Sequence, residues 1–212
     1  MLRFIDSNYC RRTLKRWSGR EGARLGRGDN FLGSGINSGK GGAGHVEAGR
    51  PTVFSGQGFS LIGEKGRFVL PPDFRKAVRD SGEGERVLCL ARHPRWKCLT
   101  AFGLGRVDEF EAELNREESI ALERGADFDR DFRSQQMYGF GRVPFDDSGR
   151  FVLPERYAKQ VGLDGAAFFQ GGGKMFTIWN PDELARMGAG WQDAIEACAD
   201  LQAQAMAGKG RK

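Results

Sequence analysis

The hexapeptide Gly66-Arg67-Phe68-Val69-Leu70-Pro71 occurs twice in this chain, returning letter for letter as Gly149-Arg150-Phe151-Val152-Leu153-Pro154. The offset of 83 continues past it, placing Phe74 on Tyr157, Lys76 on Lys159 and Val78 on Val161. Six consecutive identities with three spaced matches indicate an internal duplication: one small unit used twice, with a pseudo-twofold relation between the copies. Any fold for this chain must accommodate both.

Each copy has the same physical grammar. A polar turn (Gly63-Glu64-Lys65-Gly66, then Asp146-Asp147-Ser148-Gly149) leads into an arginine. The apolar run Phe-Val-Leu suits a strand, and we assign these three residues and their second-copy equivalents to the core. Proline follows, at home in the first turn of a helix because no donor is needed there. The residues after it carry apolar groups four apart, which gives a helix one buried stripe. The unit is turn, strand, helix, with an arginine at the mouth of the turn.

Charge separates the repeated part from what precedes it. Residues 1–52 hold ten Lys or Arg and four Asp or Glu, a balance of +6, whereas the rest of the chain holds 23 and 24, a balance of −1. Broad basicity is therefore a property of the first 52 residues and not of the duplicated core. Those residues are rich in Gly and Arg and poor in periodic apolar positions, so a disordered arm is expected. Gly33-Ser34-Gly35 and the glycines after Lys40 sketch a phosphate loop, but Lys40 is followed by Gly41 where Ser or Thr is required.

Order is expected from Val53-Phe54. After the first unit, Val87–Ala91 and Lys97–Phe102 form a hairpin, followed by helical residues Val107–Leu114 and a second helical piece at Glu117–Arg124. Gly125 opens a bridge to the second copy. There Ala166–Gln170 and Met175–Trp179 repeat the hairpin, and Asn180 caps a last helix that Gly188 and Gly190 break. Lys97–Phe102 parallels Lys174–Trp179. One copy alone has too little core and open strand edges, and two copies can interlock into one closed barrel with helices outside.

On these residues, together with Val53-Phe54-Ser55-Gly56 and the Phe176-Thr177-Ile178-Trp179 strand, the chain resembles the MraZ family within the AbrB/SpoVT swapped-hairpin β-barrels. The similarity covers about residues 53–200. It implies an α+β fold: a duplicated AbrB/SpoVT-like swapped-hairpin β-barrel with peripheral helices. The parts are a disordered or mis-annotated extension (1–52), a first SpoVT-AbrB-like repeat (53–125), a second (136–200) and a flexible tail (201–212). Val53 falls where the family begins with Met, so a native product starting there is expected.

The resemblance also implies a bacterial, cytoplasmic, nucleoid-associated regulator of the division and cell-wall gene cluster. It would bind short direct repeats of double-stranded DNA in its own promoter and assemble into a homo-oligomeric ring. The family signature Asp-x-x-x-Arg is present as Asp146 to Arg150; the first copy has Gly63 where Asp belongs, with Arg67 in place and Glu64 as a substitute acceptor. DNA contact is assigned to Arg67, Lys65 and Arg150, with Asp146 orienting Arg150. A bland reading stands beside this one, in which each arginine ties down its own turn. Outer helices, Val107–Leu114 and Leu184–Leu201, are the candidates for subunit contacts.

Other classes leave weaker traces. His45 and His93 have no supported nucleophile or acid partner, so no catalytic residues, cofactor or small-molecule substrate are assigned. Cys89 and Cys98 flank His93, but no close pair completes a metal set; with Cys10 and Cys198 they are read as reduced thiols. The acidic cluster Glu109–Glu118 reads as a solvated helix face. No apolar run reaches the length of a membrane span. Antitoxins of the same fold, which recruit protein partners, are shorter and use one copy.

Overall fold

The computed structural model describes residues 52–209. The expected arm (residues 1–52) up to residue 51, with Cys10 and His45 in it, and the end of the tail lie outside the described residues. The first copy supplies β1 (Gln57–Leu61), β2 (Arg67–Val69), α1 (Pro72–Ser81), β3 (Val87–Arg92) and β4 (Leu99–Phe102). Helices α2 (Phe110–Glu123) and α3 (Arg130–Tyr138) follow. The second copy supplies β5 (Gly141–Pro144), β6 (Arg150–Val152), α4 (Glu155–Val161), β7 (Ala166–Gly171) and β8 (Phe176–Trp179), then α5 (Pro181–Ala185) and α6 (Gln192–Lys209).

Six strands form one antiparallel sheet in the order β1-β7-β8-β4-β3-β5, and β2 pairs with β6 in a separate ribbon. That order reads the same from either end once each strand is replaced by its repeat equivalent. The first strand of each copy pairs with the hairpin of the other: β1 with β7, placing Phe59 opposite Phe168, and β5 with β3, placing Arg142 opposite Cys89. These are equivalent positions, so the two exchanges share one register. Where equivalent strands meet, equivalent residues face each other: Thr100 opposite Thr177 in β4–β8, and Phe68 opposite Phe151 in β2–β6. The pseudo-twofold relation inferred from the hexapeptide thus passes through the centre of both sheets.

The α+β class agrees with the sequence reading, but the strand order is open. β1 and β5 stand at the two ends of the large sheet and do not pair with each other, and each leads through a turn into the ribbon. One core joins the two sheets. Phe68, Leu70, Phe151 and Leu153 from the ribbon side pack with Leu90, Leu99, Phe169 and Phe176 of the large sheet. Burial of this apolar surface is the main term favouring the fold.

Three helical expectations change. Of the two pieces around residues 107–124, the start at Val107 falls in a 3-10 helix, Leu104–Glu109, and the rest merges into the continuous α2. The bridge after Gly125 contains α3, whose start is capped by Asp129 accepting from the Phe132 N–H at 2.9 Å. The last helix breaks between Ala185 and Gln192 as its glycines indicate, and α6 then continues through residues 201–209, where a flexible tail is expected. Among the described residues no helix is long and apolar enough to cross a membrane.

Candidate nucleic-acid interface

Strand alternation decides what the ribbon shows to water. Phe68 and Phe151 point inward and are each 2% exposed. Arg67 and Val69 on β2, and Arg150 and Val152 on β6, take the outer face. Antiparallel register sets Arg67 across from Val152 and Val69 across from Arg150, so the two arginines lie on a diagonal. Lys65 joins them from the first turn, and Gly63, Glu64, Lys65, Arg67, Val69 and Arg150 line one open depression. Three of the four residues singled out from sequence therefore gather at one surface, with Asp146 behind Arg150. Val69 and Val152 correct the core assignment: they are 42% and 55% exposed. A three-residue strand with a buried centre must turn its other residues outward.

The two turns are built differently. In the second, the Asp146 carboxylate accepts from the backbone N–H groups of Ser148 and Arg150, each at 2.9 Å, and from Arg150 Nε at 3.0 Å. These bonds, led by the Arg150 N–H, hold the Asp146 carboxyl below its ordinary range. Arg150 Nη2 also donates to Ser148 Oγ at 3.2 Å, yet the arginine side chain stays 51% exposed. Asp146 thus fixes the base of Arg150 and leaves much of its guanidinium in solvent. Gly149 must be glycine: its φ is +81°, and a Cβ there would sit 2.9 Å from the Leu70 carbonyl oxygen.

In the first turn Gly63 offers no carboxylate. The outer backbone bond is kept, Gly63 N–H to the Arg67 carbonyl at 2.8 Å, matching Asp146 N–H to the Arg150 carbonyl at 3.0 Å. The chain closes as a single 3-10 turn in which Lys65 takes the left-handed region at φ 59°. Glu64 does not fill the gap, since among the described residues it makes no hydrogen bond to Arg67. Neither Lys65 nor Arg67 has an ion-pair partner among the described residues, which removes the local-tether reading for Arg67.

Two residues not identified from sequence brace the second turn. Arg75 of α1 donates to the Asp147 carbonyl at 3.2 Å, and Arg86 pairs with the Asp147 carboxylate. Both belong to the first copy, so each reaches the turn only through the fold.

The remaining candidates resolve into structural roles. His93 sits at the β3–β4 tip, where Nδ1 accepts from the N–H groups of Arg95 and Trp96 at 3.2 and 3.1 Å and the ring stacks on Trp96. Burial, then Arg95, lowers its pKa. Cys89, Cys98 and Cys198 are buried free thiols, pushed up by burial to about 11, 12 and 11. The acidic cluster is not simply solvated. Glu109 and Glu113 pair with Arg106 and Lys174, Glu111 and Glu118 with Arg130, and Glu117 with Arg133. The apolar stripes of the outer helical stretches Val107–Leu114 and Leu184–Leu201 face inward, with Phe110, Leu114, Leu184 and Cys198 all buried.

No family model matches the chain. Three curated relatives, each described as a transcriptional regulator MraZ, are similar to it. The protein of Rhodospirillum rubrum is 32% identical over 136 residues, covering 62% of this chain and 81% of the relative. That of Ruegeria pomeroyi is 29% identical over 136 residues, covering 60% and 77%. That of Caulobacter vibrioides is 29% identical over 149 residues, covering 70% and 90%. With most of each relative spanned, and with the duplicated turn, strand and helix accounted for in space, this chain belongs to the MraZ family.

Proposed function

We propose that this chain is a regulator of transcription that binds double-stranded DNA through the outer face of the β2–β6 ribbon. The observation that carries the reading is the gathering of Arg67, Arg150 and Lys65 on one exposed face whose inner side is locked into the core. A two-stranded ribbon is narrow enough for a major groove, where guanidinium pairs with guanine O6 and N7 or with phosphate. The relatives' description as transcriptional regulators supports the same reading. The balance of −1 outside the first 52 residues concentrates the binding charge at the turns.

The finer expectations belong here too. The target is a set of short direct repeats upstream of the protein's own gene, in the division and cell-wall cluster, and the site of action is the nucleoid. The repeats 53–125 and 136–200 form the swapped-hairpin barrel. Support comes from the exchanged strands β1 and β5, and from the ribbon that continues both edges of the large sheet over one core. Several copies form a ring, so that small contacts on spaced repeats add through avidity. With the inner stripes buried, Leu122 and Phe132 of α2 and α3, 69% and 60% exposed, are the better candidates for subunit contact. Light scattering checks the ring; a stable monomer with tight binding to one repeat contradicts it.

The central test uses the full chain, a duplex spanning the region upstream of its gene, and fluorescence anisotropy across a salt series. A lost arginine–guanine pair costs about 1–3 kcal/mol per site. Arg67→Ala should lose specific binding and melt like the parent. Arg150→Ala should bind less tightly and melt lower, because its guanidinium is tied to Asp146. Parental binding by Arg67→Ala at every salt concentration excludes the ribbon as the reading head.

A further inference from the structure

The ribbon's outer face is not uniformly basic. Between its arginines stand Val69 and Val152, two β-branched apolar side chains left in water. They carry no core packing, since Phe68 and Phe151 between them do that work. Register places one valine directly across the strand from each arginine: Val152 from Arg67, and Val69 from Arg150. Directly opposed Cβ atoms in an antiparallel pair lie about 4.5–5.5 Å apart. Successive bases rise about 3.4 Å along each strand of a duplex, so one arginine–valine pair spans one to two base pairs. The four bases present different major-groove edges, and thymine alone carries a 5-methyl group there, the natural partner of an apolar side chain.

We propose that Val69 and Val152 contact thymine methyl groups on base pairs beside the guanines engaged by Arg150 and Arg67, so that the ribbon selects thymine next to guanine. The inference rests on the DNA-binding reading above and adds the chemistry that reads the second base. Arginine alone would accept any guanine and is further satisfied by phosphate. The paired valine supplies discrimination that costs no charge and depends little on salt.

The test compares two duplexes of the region upstream of this protein's gene, identical except that one carries deoxyuridine for thymidine throughout. That exchange removes the 5-methyl groups and leaves base pairing intact. Full-length parent and the double variant Val69→Ala, Val152→Ala are titrated against both, with a scrambled duplex as reference. Burial of one methyl-sized group corresponds to about fourfold in affinity. The parent should therefore favour the thymidine duplex by about fourfold per contacted methyl, and the double variant should bind both duplexes alike. Both valines are exposed, so truncation leaves no cavity and the melting temperature should hold. Equal binding of the two duplexes by the parent overturns the inference and leaves the DNA-binding reading standing. Discrimination that persists in the double variant also overturns it, because the methyl groups are then acting through DNA shape. A double variant whose light-scattering mass falls assigns the valines to a subunit contact instead. A parent that binds neither duplex more tightly than the scrambled one overturns the DNA-binding reading and this inference together.

Discussion

One side chain separates the two turns. Asp146 gathers two backbone donors and a guanidinium, and Gly63 at the equivalent position gathers none. Lys65 in the left-handed region is the visible consequence, a conformation that lysine adopts at a cost. Gly63 itself has φ −99° and ψ −167°, open to any residue, and a Cβ there would meet only the Arg67 carbonyl at an ordinary 3.5 Å. Gly63→Asp should therefore rebuild the second turn's bonding in the first. The gain expected is about 1 kcal/mol, as for a restored cap, or about 2–4 °C in Tm for a domain of this size. A lower Tm by differential scanning calorimetry would mean that the first turn is held by something other than its backbone. At this scale the sequence was legible where partners are local: Asp146 and Arg150 are four residues apart. Arg75 and Arg86 were not legible, because they reach Asp147 across 72 and 61 residues. The outward valines were hidden because Phe-Val-Leu is too short for alternation to register as a period.

Elements differ in what holds them. α1 and α4 were legible because Phe74 and Val78, or Tyr157 and Val161, form an apolar stripe that is buried. α3 has no such stripe and buries no residue, so periodicity could not reveal it. It is fastened to α2 by charge. Arg133 Nε and Nη2 reach the two Glu117 oxygens at 2.6 and 2.8 Å, and Arg130 pairs with Glu111 and Glu118. The Arg133 hydrogen bond, ahead of Coulomb attraction, holds the Glu117 carboxyl below its ordinary range. Such half-exposed pairs are each worth up to about 1 kcal/mol and are screened by salt. Arg133→Ala should accordingly speed amide exchange across α3 by roughly fivefold at low salt. Exchange in β3 and β8 should be unchanged. In about 1 M salt, where screening acts over roughly 3 Å, parent and variant should converge. Equal protection of α3 in both proteins at low salt would assign its anchorage to the Phe110–Tyr138 contact instead.

At the scale of the molecule, the duplication is more than two domains in a row. Because β1 completes the β7 hairpin and β5 completes the β3 hairpin, neither copy keeps its own first strand. The sequence showed that there were two units and that one could not stand alone, but not which strands are exchanged, since pairing partners leave no periodic trace. The exchange makes stability a joint property. A first copy by itself would expose the β3 edge that β5 covers, the β4 edge that β8 covers and the β2 edge that β6 covers. Its pseudo-twofold partner could be replaced by a second identical copy, because Phe68 and Thr100 already sit where equivalent residues meet. Gly125, exposed and at φ 63° between α2 and α3, is a site where the chain can be cut without breaking a strand pair. The two halves separated there should copurify one to one when coexpressed and melt in a single transition. The first half alone should be unfolded or a homodimer at every concentration where it stays soluble. Sedimentation that finds it a folded monomer would show that the exchanged strands decorate a self-sufficient unit, and the pseudo-twofold core would lose its role as the organising feature of the fold.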